Sequence, residues 1–154
     1  MNTIEGNLSG RKYKFAIIES KFNEFIGSKL LEGAIDCLKK HNYTEKNFDI
    51  IKVPGAFEIP VIAAKLAALK KYDAIITLGA VIRGATPHFD YISYAVSTGC
   101  SKVALKYNIP VIFGVLTTNT VEQAIERSDS KLGNKGWDAA LTAIEMADLS
   151  SKLS

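Results

Sequence analysis

Short apolar segments alternate along this chain with amphipathic helical patterns, and this alternation restricts the fold more than any other feature of the sequence. Strands are predicted over residues 14–19, 48–53, 74–82 and 110–116. The third begins with a nearly continuous apolar run, Ala74-Ile75-Ile76, which is typical of a strand covered on both faces. Because right-handed crossovers place helices on both faces of such a sheet, this order predicts four parallel strands.

Amphipathic helices are predicted between and after the strands. In the first, Ile26, Leu30, Ala34 and Leu38 recur at intervals of four residues. The others are predicted at about residues 57–70, around Ile92, Val96 and Val103, at 121–127 and at 136–149. The fold class is therefore α/β, a three-layer α/β/α arrangement of the flavodoxin-like type. A short strand at residues 3–8 has no obvious partner in its own chain, and we expect it to pair with a neighbouring subunit.

Composition narrows the class of protein. The 154 residues suffice for one domain over residues 1–154, and a net charge of +3 is too small to predict nucleic-acid binding. No apolar run approaches the ~18 residues of a membrane span, and the first ten residues lack a signal-peptide pattern. Cys37 and Cys100 fall in predicted helices without metal-ligand spacing. They indicate buried free thiols and a reducing, cytoplasmic location.

The loops at the carboxyl ends of the strands are the candidate site, because open parallel sheets bind ligands there. After the first strand, Phe22 is placed to stack on a planar ligand, and Asn23 is either a site residue or the N-cap of the next helix. After the second strand, Glu58 either complements the helix dipole or accepts hydrogen bonds from a polyol.

The loop after the third strand gives the strongest sequence evidence for a functional site. Thr86 is predicted as an N-cap and Pro87 as the first helical residue, while Gly84 and Ala85 let backbone N–H groups approach an anion. His88 then lies in the first turn, where the helix dipole favours a neutral imidazole that can accept a proton. His88 is a structural residue or a general base, and its position favours the base.

The loop after the fourth strand offers a cationic cluster. Asn119, followed by Glu122, resembles a capping box. Arg127 is a surface cation or, with Lys131 and Lys135, part of a phosphate site. The sequence has no glycine-rich nucleotide loop and no metal-spaced cluster. We therefore expect no cofactor and no metal, and we do not expect NAD-dependent hydride transfer or ATP-dependent phosphoryl transfer.

Several sequence blocks, in order, carry a resemblance that spans nearly the whole chain. They lie at residues 22–23, 54–60, 78–91, 110–114, 122–127 and 133–136. Together they resemble the 6,7-dimethyl-8-ribityllumazine synthase family. The resemblance implies a transferase of riboflavin biosynthesis. It would condense 5-amino-6-(D-ribitylamino)uracil with 3,4-dihydroxy-2-butanone 4-phosphate, and release phosphate and water in the penultimate step.

The resemblance also implies residue roles and partners. His88 is implied to transfer protons. The residues implied to contact the ribitylaminouracil are Phe22, Asn23, Ala56, Phe57, Glu58, Ala80, Val81, Ile82 and Phe113. From its sequence pattern alone, Phe113 would be predicted as a core residue. Contacts to the butanone phosphate fall to Ala85, Thr86, Arg127 and Lys135. The implied partners are two small-molecule substrates and further copies of the chain. The copies form a pentamer with shared sites, closing into an icosahedral shell, and riboflavin synthase is a further candidate partner.

Two positions depart from the family pattern, and two other protein classes stay open. Asn119 stands where an acidic residue is common, and Ser128–Asp129 where a small Ala-Gly pair is usual. The chain could instead be a flavin- or lumazine-binding module without turnover, or a structural shell protein. A flavodoxin-type electron carrier shares the topology, but this sequence lacks its acidic bias and its Ser/Thr phosphate loop.

Overall fold

The computed structural model describes residues 1–129 and 133–154, and within these ranges strands and helices alternate. The first half contains β1 Phe15–Ser20, α1 Glu24–Lys40, β2 Phe48–Val53, α2 Ile59–Ala68 and β3 Ala74–Ile82. The second half contains α3 His88–Tyr107, β4 Val111–Thr118, α4 Val121–Arg127, β5 Ser128–Asp129, β6 Gly133–Asn134 and α5 Lys135–Lys152. Short 3₁₀ turns, Glu45–Asn47 and Ala56–Glu58, precede β2 and α2. No helix among these residues is long and apolar enough to cross a membrane.

Four parallel strands form the central sheet in the order β2-β1-β3-β4. Alternate residues of β1 enter opposite cores: Ile17 packs with α1 and α5, and Ile18 packs with α2 and α3. The central strands β1 and β3 are buried almost throughout, whereas β2 and β4 are edge strands with partly exposed residues. The predicted three-layer α/β fold with a four-stranded parallel sheet is confirmed.

Most elements lie where they were predicted, but several ends differ. The strand predicted at 110–116 begins after Pro110 and continues to Thr118, whose carbonyl accepts the Arg83 N–H at 2.8 Å. The helix predicted at 57–70 is shorter, since a 3₁₀ turn precedes it and Lys70 adopts a left-handed conformation with φ 54°. The strand β1 lies one residue later than predicted, and α5 extends to Lys152.

The segment at residues 3–8 does not form a strand in the single chain. It lies along α5 of the same chain, where the Asn7 N–H donates to Asp148 at 2.7 Å and Lys152 donates to the Glu5 carbonyl at 2.8 Å. Its backbone therefore does have partners within its own chain. Pairing of this segment with a neighbouring subunit stays a prediction.

The strand order creates a switch point between β1 and β3, because the chain leaves β1 toward one sheet edge and later returns to build the other. These two strands also approach closely at their carboxyl ends, where a Cβ on Gly79 would lie 2.9 Å from Cβ of Ser20. Only glycine fits such an approach without displacing a strand. The loops that follow β1 and β3 are thereby brought to the two sides of one crevice.

Candidate active site

A cleft of about 640 Å³ opens at this switch point, between the loops that follow β1, β2 and β3. Its lining includes ten of the residues named from the sequence: Phe22, Asn23, Ala56, Phe57, Glu58, Ala80, Val81, Ile82, Thr86 and His88. It also includes Gly84, which was expected to let backbone N–H groups approach an anion, and four residues that were not assigned to the site: Pro54, Gly55, Phe89 and Ile92. The loops after three separate strands thus converge as the parallel-sheet rule predicts.

Phe22 lines the cleft with an aromatic ring, and backbone hydrogen bonds hold the turn that carries it. Its side chain is 70% exposed. The N–H of Lys21 donates to the Val53 carbonyl at 2.8 Å, and the N–H of Phe22 donates to the Pro54 carbonyl at 3.1 Å. A large exposed ring on a rigid turn is a ready stacking surface for a planar ligand.

Asn23 occupies the N-cap position of α1 but does not cap the helix with its side chain, so that part of the prediction was wrong. Side-chain capping requires an extended backbone, whereas Asn23 is left-handed with φ 60° and ψ 45°. Its Nδ2 instead donates to the Ala80 carbonyl at 3.1 Å. The side chain therefore connects the turn after β1 to the end of β3.

Glu58 lies at the cleft over a glycine. A Cβ on Gly55 would lie 3.0 Å from Oε1 of Glu58, so glycine leaves space for this carboxylate. Glu58 is at the N-cap position of α2 yet makes no side-chain capping hydrogen bond. As an acidic residue at this helix N-terminus it complements the helix dipole, and without a capping hydrogen bond its carboxylate can also accept hydrogen bonds from a ligand.

The helix that carries His88 starts one residue later than predicted. Pro87 is the N-cap and His88 the first helical residue, so the assignment of Thr86 as N-cap was wrong. Pro87 has φ −70° and ψ 4°, and its carbonyl accepts the Asp90 N–H at 3.0 Å. No side-chain hydrogen bond caps this N-terminus in the described structure. His88 itself is exposed and lines the cleft at the positive end of α3.

Arg83, at the start of the loop before α3, makes three side-chain contacts. Its Nε donates to Oδ1 of Asn119 at 2.9 Å, its Nη1 lies 3.5 Å from Oδ1 of Asp90, and its guanidinium carbon lies 4.3 Å from the Phe89 ring centroid. Phe89, which lines the cleft beside His88, is therefore stacked against a cation. Asn119, one of the two departures from the family pattern, still supplies an acceptor to this arginine.

The predicted capping box at Asn119 and Glu122 was wrong by one residue. Thr120 is the N-cap of α4, and its Oγ1 accepts the Gln123 N–H at 3.1 Å. The Gln123 side chain accepts the Asn119 N–H at 2.8 Å. Thr120 has the extended backbone that capping requires, with φ −134° and ψ 159°.

Phe113, Arg127 and Lys135 lie in a second cleft of about 630 Å³, along β4 and α5, and no residue lines both clefts. Phe113 is 43% exposed because β4 is an edge strand, so it is not the core residue that its pattern indicated. The exposed Arg127 donates to the Gln123 carbonyl at 3.0 Å, and Lys135 lies 3.7 Å from Asp138. Lys131 lies outside the described residues.

The predicted phosphate residues are therefore divided within one chain. Thr86 lines the first cleft, with Ala85 exposed beside it, whereas Arg127 and Lys135 line the second. Residues 1–129 and 133–154 contain no group of three or more His, Cys, Asp and Glu side chains that could hold a metal. The thiols of Cys37 and Cys100 are free and buried, as predicted.

The family model described as 6,7-dimethyl-8-ribityllumazine synthase matches residues 12–151. The chain belongs to this family. It is similar to a protein of that name from Clostridium kluyveri, with 60% identity over 153 residues, which is 99% of this chain and 99% of the relative. The resemblance seen in the sequence is thus confirmed, and with it the expectation of a transferase that acts in riboflavin biosynthesis.

Proposed function

We propose that the cleft between β1 and β3 binds 5-amino-6-(D-ribitylamino)uracil, which the chain condenses with 3,4-dihydroxy-2-butanone 4-phosphate. The product is 6,7-dimethyl-8-ribityllumazine, with release of phosphate and water, in the penultimate step of riboflavin biosynthesis. The observation that carries the proposal is the convergence of an aromatic ring, a carboxylate and an imidazole on one cleft, from Phe22, Glu58 and His88. Its volume lies within the roughly 300–1,000 Å³ of small-molecule sites.

The ribitylaminouracil is assigned to the walls of this cleft. Phe22 stacks on the pyrimidine ring, since its face is exposed and its backbone is fixed. Glu58, with Ala56 and Phe57 beside it, accepts hydrogen bonds from the ribityl hydroxyls. The end of β3 contributes a further wall through Ala80, Val81 and Ile82. The hydrogen bond from Asn23 to the Ala80 carbonyl joins the turn that carries Phe22 to the wall formed by β3.

His88 moves the protons that the condensation requires. The 5-amino group attacks the ketone carbonyl and water leaves, giving an imine. Loss of the C3 proton and of the phosphate on C4 then gives an enol, which tautomerises to a new ketone at C3, and attack of the ribitylamino nitrogen on that ketone closes the ring with loss of a second water. A neutral imidazole can accept the proton released by the attacking amine and return it to a leaving oxygen. His88 lines the cleft together with Phe89, and this position supports the role proposed for it.

The butanone phosphate is assigned to residues of two subunits. Ala85 and Thr86 lie in the loop before His88, whereas Arg127 and Lys135 belong to the second cleft. A neighbouring copy that brings its β4 edge against the first cleft unites both sets and adds Phe113 to the pyrimidine side. A heterologous contact of this kind forms a ring when its rotation closes, and we propose such a ring, a pentamer.

The short connection between Arg127 and Gly136 in the sequence favours further closure of pentamers into an icosahedral shell. Each subunit acts as one domain over residues 1–154. Riboflavin synthase, the candidate partner, and the cytoplasmic location stay predictions.

Subunit mixing tests the shared site. His88→Ala inactivates one half of each site and Arg127→Ala the other, so each variant alone should form the fluorescent lumazine slowly when the ketone phosphate is limiting. Co-assembled at equal amounts, the two variants should regain activity at about one site in four, since a ring interface pairs unlike halves. A mixture no more active than the sum of its parts would place the whole site within one chain.

The wild-type chain serves as the control for the rival classes. Turnover of both substrates to the lumazine is expected. Tight binding of the lumazine without any turnover would instead identify a binding module, and assembly without binding of either substrate would identify a structural shell protein.

A further inference from the structure

Glu19, the penultimate residue of β1, is a buried carboxylate three positions before Phe22. Its side chain is 1% exposed, and its Oε1 lies 3.5 Å from Nζ of Lys52 on β2. Gly27 of α1 lies over Oε2, where a Cβ would be 3.4 Å away. Within residues 1–129 and 133–154, neither oxygen of Glu19 accepts a hydrogen bond. In this part of the chain, the charge of Glu19 is therefore compensated by Lys52.

The pair of Glu19 and Lys52 contributes little to the stability of the fold. Removing a carboxylate from water is costly, and an ammonium group returns that cost only with good geometry and additional hydrogen bonds. Lys52 is half-exposed, so solvent also screens its charge. Apolar side chains at positions 19 and 52 would fill the same space without this cost. The pair is therefore better explained by what it holds in place than by the stability it adds.

Lys52 also contacts the other end of the turn that carries Phe22. Its Nζ lies 3.6 Å from Oε1 of Glu24, the first residue of α1. Glu19 and Glu24 thus flank residues 20–23 and meet at one ammonium group. The carbonyls of the two residues after Lys52 hold the same turn, because they accept the N–H groups of residues 21 and 22. Both sets of contacts come from the carboxyl end of β2.

We propose that Lys52 is a positioning residue, which ties both ends of the Phe22 turn to β2 and so keeps the aromatic ring in place for stacking. This inference rests on the assignment of the ribitylaminouracil to the first cleft, proposed above. None of Glu19, Glu24 and Lys52 lines that cleft, so the group acts on the substrate through Phe22. A ring that is already held in its bound position loses less freedom when the substrate binds, which improves affinity without altering the chemistry.

Lys52→Met tests the positioning of the ring, and Lys52→Arg keeps the charge as the conservative variant. With methionine, the Glu19 carboxylate loses its cation and the turn loosens, so KM for the ribitylaminouracil should rise by about threefold to tenfold. The kcat value and KM for the butanone phosphate should be unchanged, and arginine should restore most of the affinity. Deuterium exchange at the amides of residues 21 and 22 should be faster in Lys52→Met than in the wild type.

Glu19→Leu combined with Lys52→Met separates positioning from stability. The double variant removes the buried charge together with its partner, so Tm should return to the wild-type value or exceed it. The tie between β2 and the turn is still absent, so KM for the ribitylaminouracil should stay raised and exchange should stay fast. Recovery of KM along with Tm would overturn the inference, because the pair would then be only structural. The double variant decides this even if Lys52→Met alone does not fold.

Lys71→Met is the matched control. Lys71 pairs at 3.5 Å with Asp49, which is on the same strand but at the end away from the cleft, so its loss should change neither KM nor exchange. Phe22→Ala distinguishes this inference from the proposed function. If Phe22→Ala raises KM for the ribitylaminouracil while Lys52→Met does not, the inference fails and the cleft assignment stands. If Phe22→Ala leaves that KM unchanged, both are overturned.

Discussion

The side-chain Nδ2 of Asn23 lies 3.1 Å from the carbonyl oxygen of Ala80 and donates a hydrogen bond to it. This contact joins the turn after β1 to the end of β3, the two strands at which the strand order reverses, and both residues line the first cleft. The turn that carries Phe22 and the β3 wall are therefore coupled. A change at Asn23 should alter binding of the pyrimidine even if its side chain never contacts the substrate.

Asn23→Ala should raise KM for the ribitylaminouracil more than Asn23→Gly. Alanine loses the hydrogen bond, at about 0.5–1.5 kcal/mol, and is also strained by roughly 1–2 kcal/mol in the left-handed conformation. Glycine loses only the hydrogen bond. Steady-state kinetics with each substrate varied separately measures the effect. Asn108→Ala is the matched control: Asn108 is also left-handed, with φ 53°, but lies at the end of α3. It should lower Tm without altering KM, and equal KM changes in all three variants would contradict the coupling.

His88→Ala should lower kcat and leave binding of the ribitylaminouracil nearly unchanged. General acid–base assistance typically contributes ~10²–10⁴-fold. We expect the lower end of that range or less, because the amine and ketone are already reactive. The chain has two histidines, and His41→Ala is the control because His41 contacts the end of α1 rather than either cleft. A His88→Ala variant with wild-type kcat across pH would leave His88 a structural residue.

Arg127→Ala should weaken binding of the phosphorylated ketone selectively. A charge-assisted hydrogen bond contributes roughly 1.5–3 kcal/mol, so KM for that substrate should rise by about tenfold to a hundredfold, with KM for the ribitylaminouracil little changed. Lys39→Ala removes a positive charge that pairs with Glu45 on the surface and serves as the control. Equal increases in both KM values would exclude a phosphate-specific role for Arg127.

At low pH the folded protein should lose the stabilisation that the ionised Asp148 carboxylate provides. The Asn7 N–H, the Tyr13 hydroxyl and Lys152 lower the pKa of Asp148 from 3.8 to about 2. A carboxyl whose pKa is lowered by folding stabilises the native state fully above its unfolded pKa, and that stability is lost as the pH falls toward the folded value. The difference in Tm between wild type and Asp148→Asn should therefore be constant above about pH 5 and narrow between pH 4 and pH 2. A difference independent of pH would contradict this linkage.

Native Cys37 and Cys100 should resist alkylation. Burial raises the pKa of the Cys37 thiol to about 12 and that of Cys100 to about 11, and the thiolate is the reactive form. Mass spectrometry after iodoacetamide treatment should detect modification only in denaturant. Rapid labelling of the native protein would show that the helices open locally. The reducing compartment inferred from these thiols stays a prediction.

The sequence was most informative where local pattern and burial agree. The strands Phe48–Val53 and Ala74–Ile82 have the predicted bounds because polar residues precede them and turn-forming residues, Pro54-Gly55 and Arg83-Gly84, follow them. Capping residues were less predictable, since Thr86 and Pro87, like Asn119 and Thr120, are neighbours that can each start a helix. The backbone conformation, which sequence pattern does not reveal, decides between them.

Contacts between distant residues could not be predicted from local pattern. The left-handed backbone of Asn23 accompanies a hydrogen bond to Ala80, 57 positions away, and the segment before β1 contacts α5 through a hydrogen bond between Asn7 and Asp148, 141 positions apart. The exposure of Phe113 likewise depends on strand order, because the same apolar residue would be buried in a central strand.

The two clefts draw their linings from separate tracts of the chain, one between residues 22 and 92 and the other between residues 111 and 142. A genetic crossover in the turn between α3 and β4 would therefore exchange one complete cleft and leave the other intact. Recombination can thus join the N-terminal part of one ancestral chain to the C-terminal part of another without dividing the lining of either cleft.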